Sequence, residues 1–177
     1  MKDSKTAARY AKALLGLSLD GGKLDSVYSN MQSLSETIKG SSDLQSLINN
    51  PVIKGTDKLT VFSSLFATDF EESTMNTINL LLNNKREGLL AEVANQFIIQ
   101  YKSHKNIVTA EVISATKLDE ELKNKVLSLL KHDGEVEIIE KVDASLIGGF
   151  IVRVGDKQID ASIATKFKQL RKEISLN

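Results

Sequence analysis

The stretch Lys102-Ser103-His104-Lys105-Asn106-Ile107-Val108-Thr109-Ala110-Glu111-Val112-Ile113 changes its period in the middle. Upstream of it, Leu90, Val93, Ala94, Phe97, Ile98 and Tyr101 recur at spacings of three and four, the mark of one helix face. From Ile107 onward, Val108, Ala110 and Val112 alternate with the β-branched Ile107, Thr109 and Ile113, and period two predicts a strand. The polar run between the two regimes is where an exposed boundary belongs. The chain therefore reads as a helical part, residues 1–104, followed by a mixed part, residues 105–177.

Working back from the switch, helical periodicity persists to the start. Ala7, Tyr10, Ala11 and Leu14 form one stripe behind a Ser4 cap, and Leu24, Val27, Tyr28, Met31, Leu34 and Ile38 form a second, closed by Gly40. Ser42 or Asp43 restarts a short helix through Leu44, Leu47 and Ile48, which Pro51 stops. Thr56 precedes Leu59, Phe62, Leu65 and Phe66, and Met75, Ile78, Leu81 and Leu82 make the fifth stripe. Pro51 is the single proline of the chain, against an average of about 5%, so little interrupts such a succession. Six helices with short connections predict a helical bundle.

Working forward, Asp119 caps a helix carrying Leu122, Val126, Leu129 and Leu130, ending near Gly134. Val136, Ile138 and Val142 suggest a second strand, and Phe150, Val152 and Val154 a third. Val154-Gly155-Asp156-Lys157 turns that strand into Gln158-Ile159. Asp160 caps a last helix with Ile163, Phe167, Leu170 and Ile174 on one face. The fold class is mainly α: an N-terminal six-helix bundle followed by a small α+β C-terminal module.

Composition excludes several classes of function. Among 177 residues, 23 Lys plus Arg balance 23 Asp plus Glu, which argues against a protein whose main task is to coat nucleic acid. With no cysteine there are no disulfides, thiolate metal sites, Fe–S clusters or cysteine nucleophiles, and His104 and His132 are too few for a multi-histidine metal site. No apolar run approaches the roughly 20 residues that span a bilayer. Arg9 and Lys12 interrupt the first apolar segment, unlike a secretory leader, and Asp3 speaks against an organellar transit peptide. The expectation is a soluble, cytoplasmic chain that can still attach to a membrane complex.

Motifs for chemistry are weak. Gly16-Leu17-Ser18-Leu19-Asp20-Gly21-Gly22-Lys23-Leu24 approaches a Walker pattern, but it carries an extra glycine, ends in leucine and follows no strand, so it reads as an interhelical loop. Gly148-Gly149 lacks the third glycine and following helix of a dinucleotide fingerprint and reads as a bulge or tight packing point. Glu71-Glu72 and Asp119-Glu120-Glu121 fall in first helical turns, where they complement the helix dipole. Lys166, Lys168, Arg171 and Lys172 read as a solvated face of the last helix. No catalytic residue, cofactor or metal site is therefore expected. What remains is surface for partner helices, such as the small-residue stripe of Ala7, Ala8, Ala11 and Ala13 beside Tyr10 and Leu14, which internal packing explains equally well.

The segment Val142-Asp143-Ala144-Ser145-Leu146-Ile147-Gly148-Gly149-Phe150-Ile151-Val152-Arg153-Val154-Gly155-Asp156 resembles the signature of the delta subunit of F-type ATP synthases, equivalent to the mitochondrial oligomycin-sensitivity-conferral protein. The likeness continues in Lys157-Gln158-Ile159-Asp160-Ala161-Ser162 and in Gln169-Leu170-Arg171-Lys172-Glu173-Ile174. It is seen also in Ala8-Arg9-Tyr10-Ala11-Lys12-Ala13-Leu14-Leu15, in Leu47-Ile48-Asn49-Asn50-Pro51-Val52-Ile53-Lys54 and in Leu81-Leu82-Asn83-Asn84-Lys85-Arg86. Leu15 and Ser18 depart from the aromatic residue and alanine of the family pattern.

The resemblance implies a non-catalytic stator component that joins the catalytic head to the peripheral stalk and resists rotor torque. By it, residues 1–104 receive the N-terminal helix of an alpha subunit between the first and fifth helices, on Ala7, Tyr10, Ala11, Leu14, Ile78, Leu81 and Leu82. Residues 105–177 meet the b-subunit stalk, with Asp156, Lys157 and Lys168 as polar candidates. It further implies a peripheral protein on the cytoplasmic face of a bacterial plasma membrane, without direct membrane insertion, nucleic acid or homo-oligomer. The alternatives are a nucleic-acid-binding or generic helical adaptor, against which zero net charge and the lack of an aromatic stacking platform count, and a small-molecule enzyme domain.

Overall fold

The computed structural model describes residues 2–130 and 134–167 together with Arg171. It divides into two compact units, Met1–Lys102 and Ser103–Asn177. The first unit is helical: α1 (Lys2–Asp20), α2 (Leu24–Gly40), α3 (Ser42–Asn49), α4 (Gly55–Phe66), α5 (Glu72–Asn83), a 3-10 turn at Glu87–Leu89, and α6 (Leu90–His104). The second holds β1 (Val108–Ser114), α7 (Glu120–Leu130), β2 (Val136–Val142), β3 (Phe150–Val154) and β4 (Lys157–Asp160), and the chain is helical again over 163–167. The mainly α architecture with a small α+β module is as expected.

In the bundle, the stripes read from the sequence turn inward. Val27, Met31 and Leu34 of α2, Phe62 of α4, Ile78 and Leu81 of α5, and Val93 and Phe97 of α6 are buried. Leu65 departs from its stripe and stands 52% exposed. The helix ends are placed differently from the expectation in three instances. α1 starts before Ser4 and runs through Gly16, because a glycine with no neighbour to clash with costs only about 1 kcal/mol within a helix. Gly40 is the last residue of α2, and the cap is the extended Ser41, whose Oγ accepts the Leu44 N–H at 3.2 Å to open α3. Thr56 lies inside α4 rather than before it.

Two polar devices fix the bundle. Asn30 on α2 donates to the Asp69 carbonyl at 3.2 Å and accepts from the Glu71 N–H at 2.8 Å, so it sets where α5 begins. Lys58, fully buried on α4, donates to the Ile48 carbonyl at 2.8 Å and to Glu87 Oε1 at 2.6 Å, tying together the end of α3, α4 and the 3-10 turn.

In the second unit the sheet order is β2-β1-β3-β4, with β1 and β2 parallel through the α7 crossover and β3 antiparallel to both β1 and β4. Asp119 Oδ1 accepts the Leu122 N–H at 2.8 Å, so it caps α7 as read. One sheet face, with Ala110, Val112, Phe150 and Val152, packs on Leu118, Leu122 and Val126. Gly155 takes φ +54° at the first position of the two-residue turn between Val154 and Lys157, a conformation glycine adopts without strain. The cap expected of Asp160 falls to Ser162, whose Oγ accepts the Thr165 N–H at 3.3 Å. Asp160 instead accepts the Ser162 N–H at 2.9 Å, closing the turn before it.

The Gly148-Gly149 pair is a packing point. Gly149 has φ +79°, and a Cβ there would lie 2.4 Å from the Ala161 carbonyl oxygen. Only glycine lets the start of β3 come this close to the chain entering the last helix, where the Ile163 N–H donates to the Gly148 carbonyl at 3.0 Å.

Candidate functional site: a furrow between the first and fifth helices

α1 and α5 run antiparallel. At one end the Tyr10 hydroxyl accepts from Asn84 Nδ2 at 3.2 Å and Arg86 NH1 at 3.3 Å, and at the other Lys23 is paired with Glu71 at 2.7 Å. Between these ends two adjoining depressions share Leu80. One, of about 420 Å³, is lined by Thr6, Arg9, Tyr10, Ala13, Leu80 and Arg86. The other, of about 350 Å³, is lined by Leu17, Glu72, Ser73, Asn76, Thr77 and Leu80. Together they form a furrow whose apolar floor includes Leu17 at 60% exposure and Leu80 at 49%.

The furrow therefore uses a different face of α1 from the one expected. Ala7, Ala11 and Leu14 are buried, as is Ser18, whose Oγ donates to the Leu15 carbonyl at 2.8 Å. Ile78, Leu81 and Leu82 on α5 are likewise buried. These six expected contact residues, Ala7, Ala11, Leu14, Ile78, Leu81 and Leu82, pack inside the bundle and do not line the furrow. Of the seven, only Tyr10 lines the furrow. The outward stripe is Thr6, Tyr10, Ala13 and Leu17, half-buried at the first two and exposed at the last two, and offset by one residue from the buried stripe. Small Ala7 and Ala11 bring α1 close to its neighbours, and Gln100 of α6 holds it there by donating to the Ala8 carbonyl at 3.0 Å. Sequence reasoning named Ala13 in the small-residue stripe but missed Leu17 and Leu80. The signal available was that Leu17 and Leu80 stand off the stripes that fill the core.

In the second unit, Asp156 sits exposed in the β3–β4 turn, and the exposed Lys157 borders an apolar recess with Leu129, Leu130, Val154 and Ile159. Lys168 and His132 lie outside the described residues. The sheet face turned away from α7 carries an ionic ladder that the sequence did not announce. Glu111 on β1 is paired with Lys141 on β2 and with Arg153 on β3 at 3.6 Å, and Arg153 Nε donates to Gln158 at 3.0 Å. The hydrogen bond from Lys141 pulls the Glu111 carboxyl below its ordinary range, against partial desolvation and with help from Arg153.

The residues singled out for chemistry have structural settings. Of the near-Walker stretch, read as an interhelical loop, residues 16–20 belong to α1 and only Gly21 and Gly22 form the turn to α2, with Gly22 at φ +64° and Lys23 engaged by Glu71. Glu71 and Glu72 open α5, and Glu120 and Glu121 open α7. Among the described residues no cluster of three His, Asp or Glu side chains is placed to hold a metal ion, and no helix is long and apolar enough to cross a membrane.

A bundle of six helices followed in the chain by a small α/β sheet unit, with no metal-holding cluster among the described residues, defines a mainly α protein of two units. Residues 6–174 match the model of the ATP synthase delta (OSCP) subunit family. The chain is 37% identical to the ATP synthase subunit delta of Christiangramia forsetii over 179 residues, covering 100% of this chain and 97% of that one. It is 35% identical to the subunit delta of Lactobacillus gasseri, with 97% and 95% covered. A chain of the Toxoplasma gondii mitochondrial ATP synthase hexamer superposes with a TM-score of 0.72 at 26% identity, covering 95% of this chain and 96% of that one. The chain belongs to the ATP synthase delta (OSCP) subunit family. It is accordingly a non-catalytic subunit of the synthase, a stator component that links the catalytic head to the peripheral stalk.

Proposed function

We propose that the furrow between α1 and α5 receives the N-terminal amphipathic helix of an alpha subunit, while the Ser103–Asn177 unit takes the far end of the b subunits. The two units then hold head and stalk together as a single copy, on the cytoplasmic face of a bacterial plasma membrane. The observation that carries this reading is the exposure of Leu17 and Leu80 on facing helices, with small Ala13 between them. Both leucines are about half exposed, so covering each is worth about 1 kcal/mol, and two anchors in one furrow contribute to the affinity for a helix. On the b side, Asp156 and Lys157 share an exposed turn beside an apolar recess.

Titration of the full chain with a labelled peptide from the alpha N-terminus tests the first contact. Leu80→Glu places a charge that must be desolvated on docking and is expected to weaken binding by about a hundredfold. The melting temperature should stay at its wild-type value, because Leu80 is half exposed. Undiminished binding by a folded Leu80→Glu variant overturns the assignment of the furrow.

A further inference from the structure

The furrow is not electrically uniform. Arg9, Lys85 and Arg86 surround its end at Tyr10, while Glu72 lines the other end. Among the described residues, no carboxylate lies within ion-pair distance of Arg9 or Arg86, and Lys85 acts on the Glu87 carboxylate through its charge alone. Lys85 and Arg86 have a local explanation, since cations beside the C-terminus of α5 complement its dipole. Arg9 has none, because it sits in the N-terminal half of α1, about three turns from the end of that helix that would favour a cation. Three cations converge on one mouth of an apolar channel, and the local structure explains only two of them.

We propose that the furrow is polarised, and that its occupant is a helix of another chain carrying carboxylates at the end that lies over Arg9, Lys85 and Arg86. This rests on the reading of the furrow as a helix-docking groove. The outward stripe of α1 from Thr6 to Leu17 is about 16 Å long at 1.5 Å per residue, so the docked segment is about three turns. Its apolar side chains, three and four residues apart, lie on Tyr10, Ala13, Leu17 and Leu80, and Ala13 lets its backbone come close. Its carboxylates then fix the orientation, since a reversed helix places them against Glu72 and leaves the three cations without partners. Natural helices concentrate Asp and Glu in their first turn, so the partner enters with its N-terminus at the Tyr10 end. A polyanion such as a nucleic acid fits less well, because its phosphates would have no use for Leu17 and Leu80.

The test uses the full chain and two synthetic helical peptides with the same apolar stripe. One carries glutamates in its first turn, the other lysines. Fluorescence anisotropy should show the acidic peptide binding about tenfold more tightly at low salt, with the gap closing as salt rises. Arg9→Glu with Lys85→Glu should invert the preference while leaving helicity unchanged; Arg86 is kept because it is bonded to Tyr10. A nitroxide on the acidic end should broaden amide resonances near Tyr10 and Arg86, not those near Leu17 and Ser73. Equal binding of both peptides, or an unchanged preference in the double variant, overturns the polarity. If Leu80→Glu still abolishes binding in that event, the groove reading survives and only the polarity falls. If Leu80→Glu leaves both peptides bound, the groove reading itself has failed. Self-association of the chain that Leu80→Glu removes would assign the furrow to a second copy, and displacement of the acidic peptide by a short single-stranded oligonucleotide would assign the mouth to phosphate. Either result overturns the proposal.

Discussion

Two stripes of one helix, offset by a single residue, have opposite duties. Ala7, Ala11, Leu14 and Ser18 of α1 are buried in the bundle, whereas Thr6, Tyr10, Ala13 and Leu17 stay at the surface and form a wall of the furrow. Both stripes carry apolar residues, so hydrophobicity alone does not separate core from docking face. Neighbours separate them. Leu14 is covered by the bundle at 1% exposure, and Leu17, three residues on, has no cover.

The comparison breaks most readily at Leu14. Leu14→Glu, like Ile78→Glu, buries a carboxylate with no partner, and the expected cost is about 4 kcal/mol or more. A stability of about 5–15 kcal/mol leaves little after such a loss. Leu17→Glu should change stability by no more than about 0.5 kcal/mol. Urea unfolding followed by helical circular dichroism measures both. A wild-type midpoint for Leu14→Glu would mean that the two stripes are wrongly separated.

This offset also marks what the sequence made legible. The switch at Lys102–Val108, the six helical stripes and the β3–β4 turn are local patterns, and all are readable because period and turn chemistry act over a few residues. The family resemblance pointed to α1 and α5, and the furrow lies between these two helices. It did not give the rotation of α1 about its axis, which depends on what packs against it from Gln100 on α6 and from α5. The same holds for Lys58. In sequence it is one more polar residue in a helix, and only its meeting with Ile48 and Glu87 makes it a core group. The Glu111 ladder likewise needs the β2-β1-β3 order, which no single strand encodes.

The buried Lys58–Glu87 pair sharpens the contrast between the units. Burial pushes the Glu87 carboxyl up, but the Lys58 hydrogen bond, a backbone N–H and the charges of Lys58 and Lys85 together bring it below the ordinary range. Glu87→Ala leaves the fully buried Lys58 ammonium with the Ile48 carbonyl and should destabilise the Met1–Lys102 unit by about 3 kcal/mol. Lys58→Met combined with Glu87→Leu should recover most of that loss, because an apolar pair needs no desolvation. If the double variant is no better than Glu87→Ala, the pair has a positional role that packing cannot replace.

A slightly smaller effect belongs to the second unit. Gly149→Ala forces a side chain into left-handed backbone and against the Ala161 carbonyl, at an expected cost of about 2 kcal/mol. Amide exchange should rise across β3 and the chain leading into the last helix, while α1 and α5 keep their protection. Loss of protection in both units together would show that their stabilities are coupled.

The smallest effect concerns acid. Glu111 has its carboxyl lowered in the folded chain, first by the Lys141 hydrogen bond and then by the Lys141 and Arg153 charges. A group whose folded value lies below its unfolded one adds stability above the unfolded value, and that stability is lost as pH falls through the folded one. The ladder therefore supports the sheet at neutral pH and stops doing so below the ordinary carboxylate range. Its pairs are exposed, so salt screens them and the gain is modest. Glu111→Gln should flatten the acid limb of stability reported by β1 amides, and leave the limb reported by α4, which Glu87 governs, as steep as before. Amide exchange of the full chain as a function of pH distinguishes the two. If Glu111→Gln leaves the β1 limb as steep as in wild type, the sheet draws its acid sensitivity from another carboxylate, for which Asp143 is the first candidate because hydrogen bonds from Ser145 hold it low.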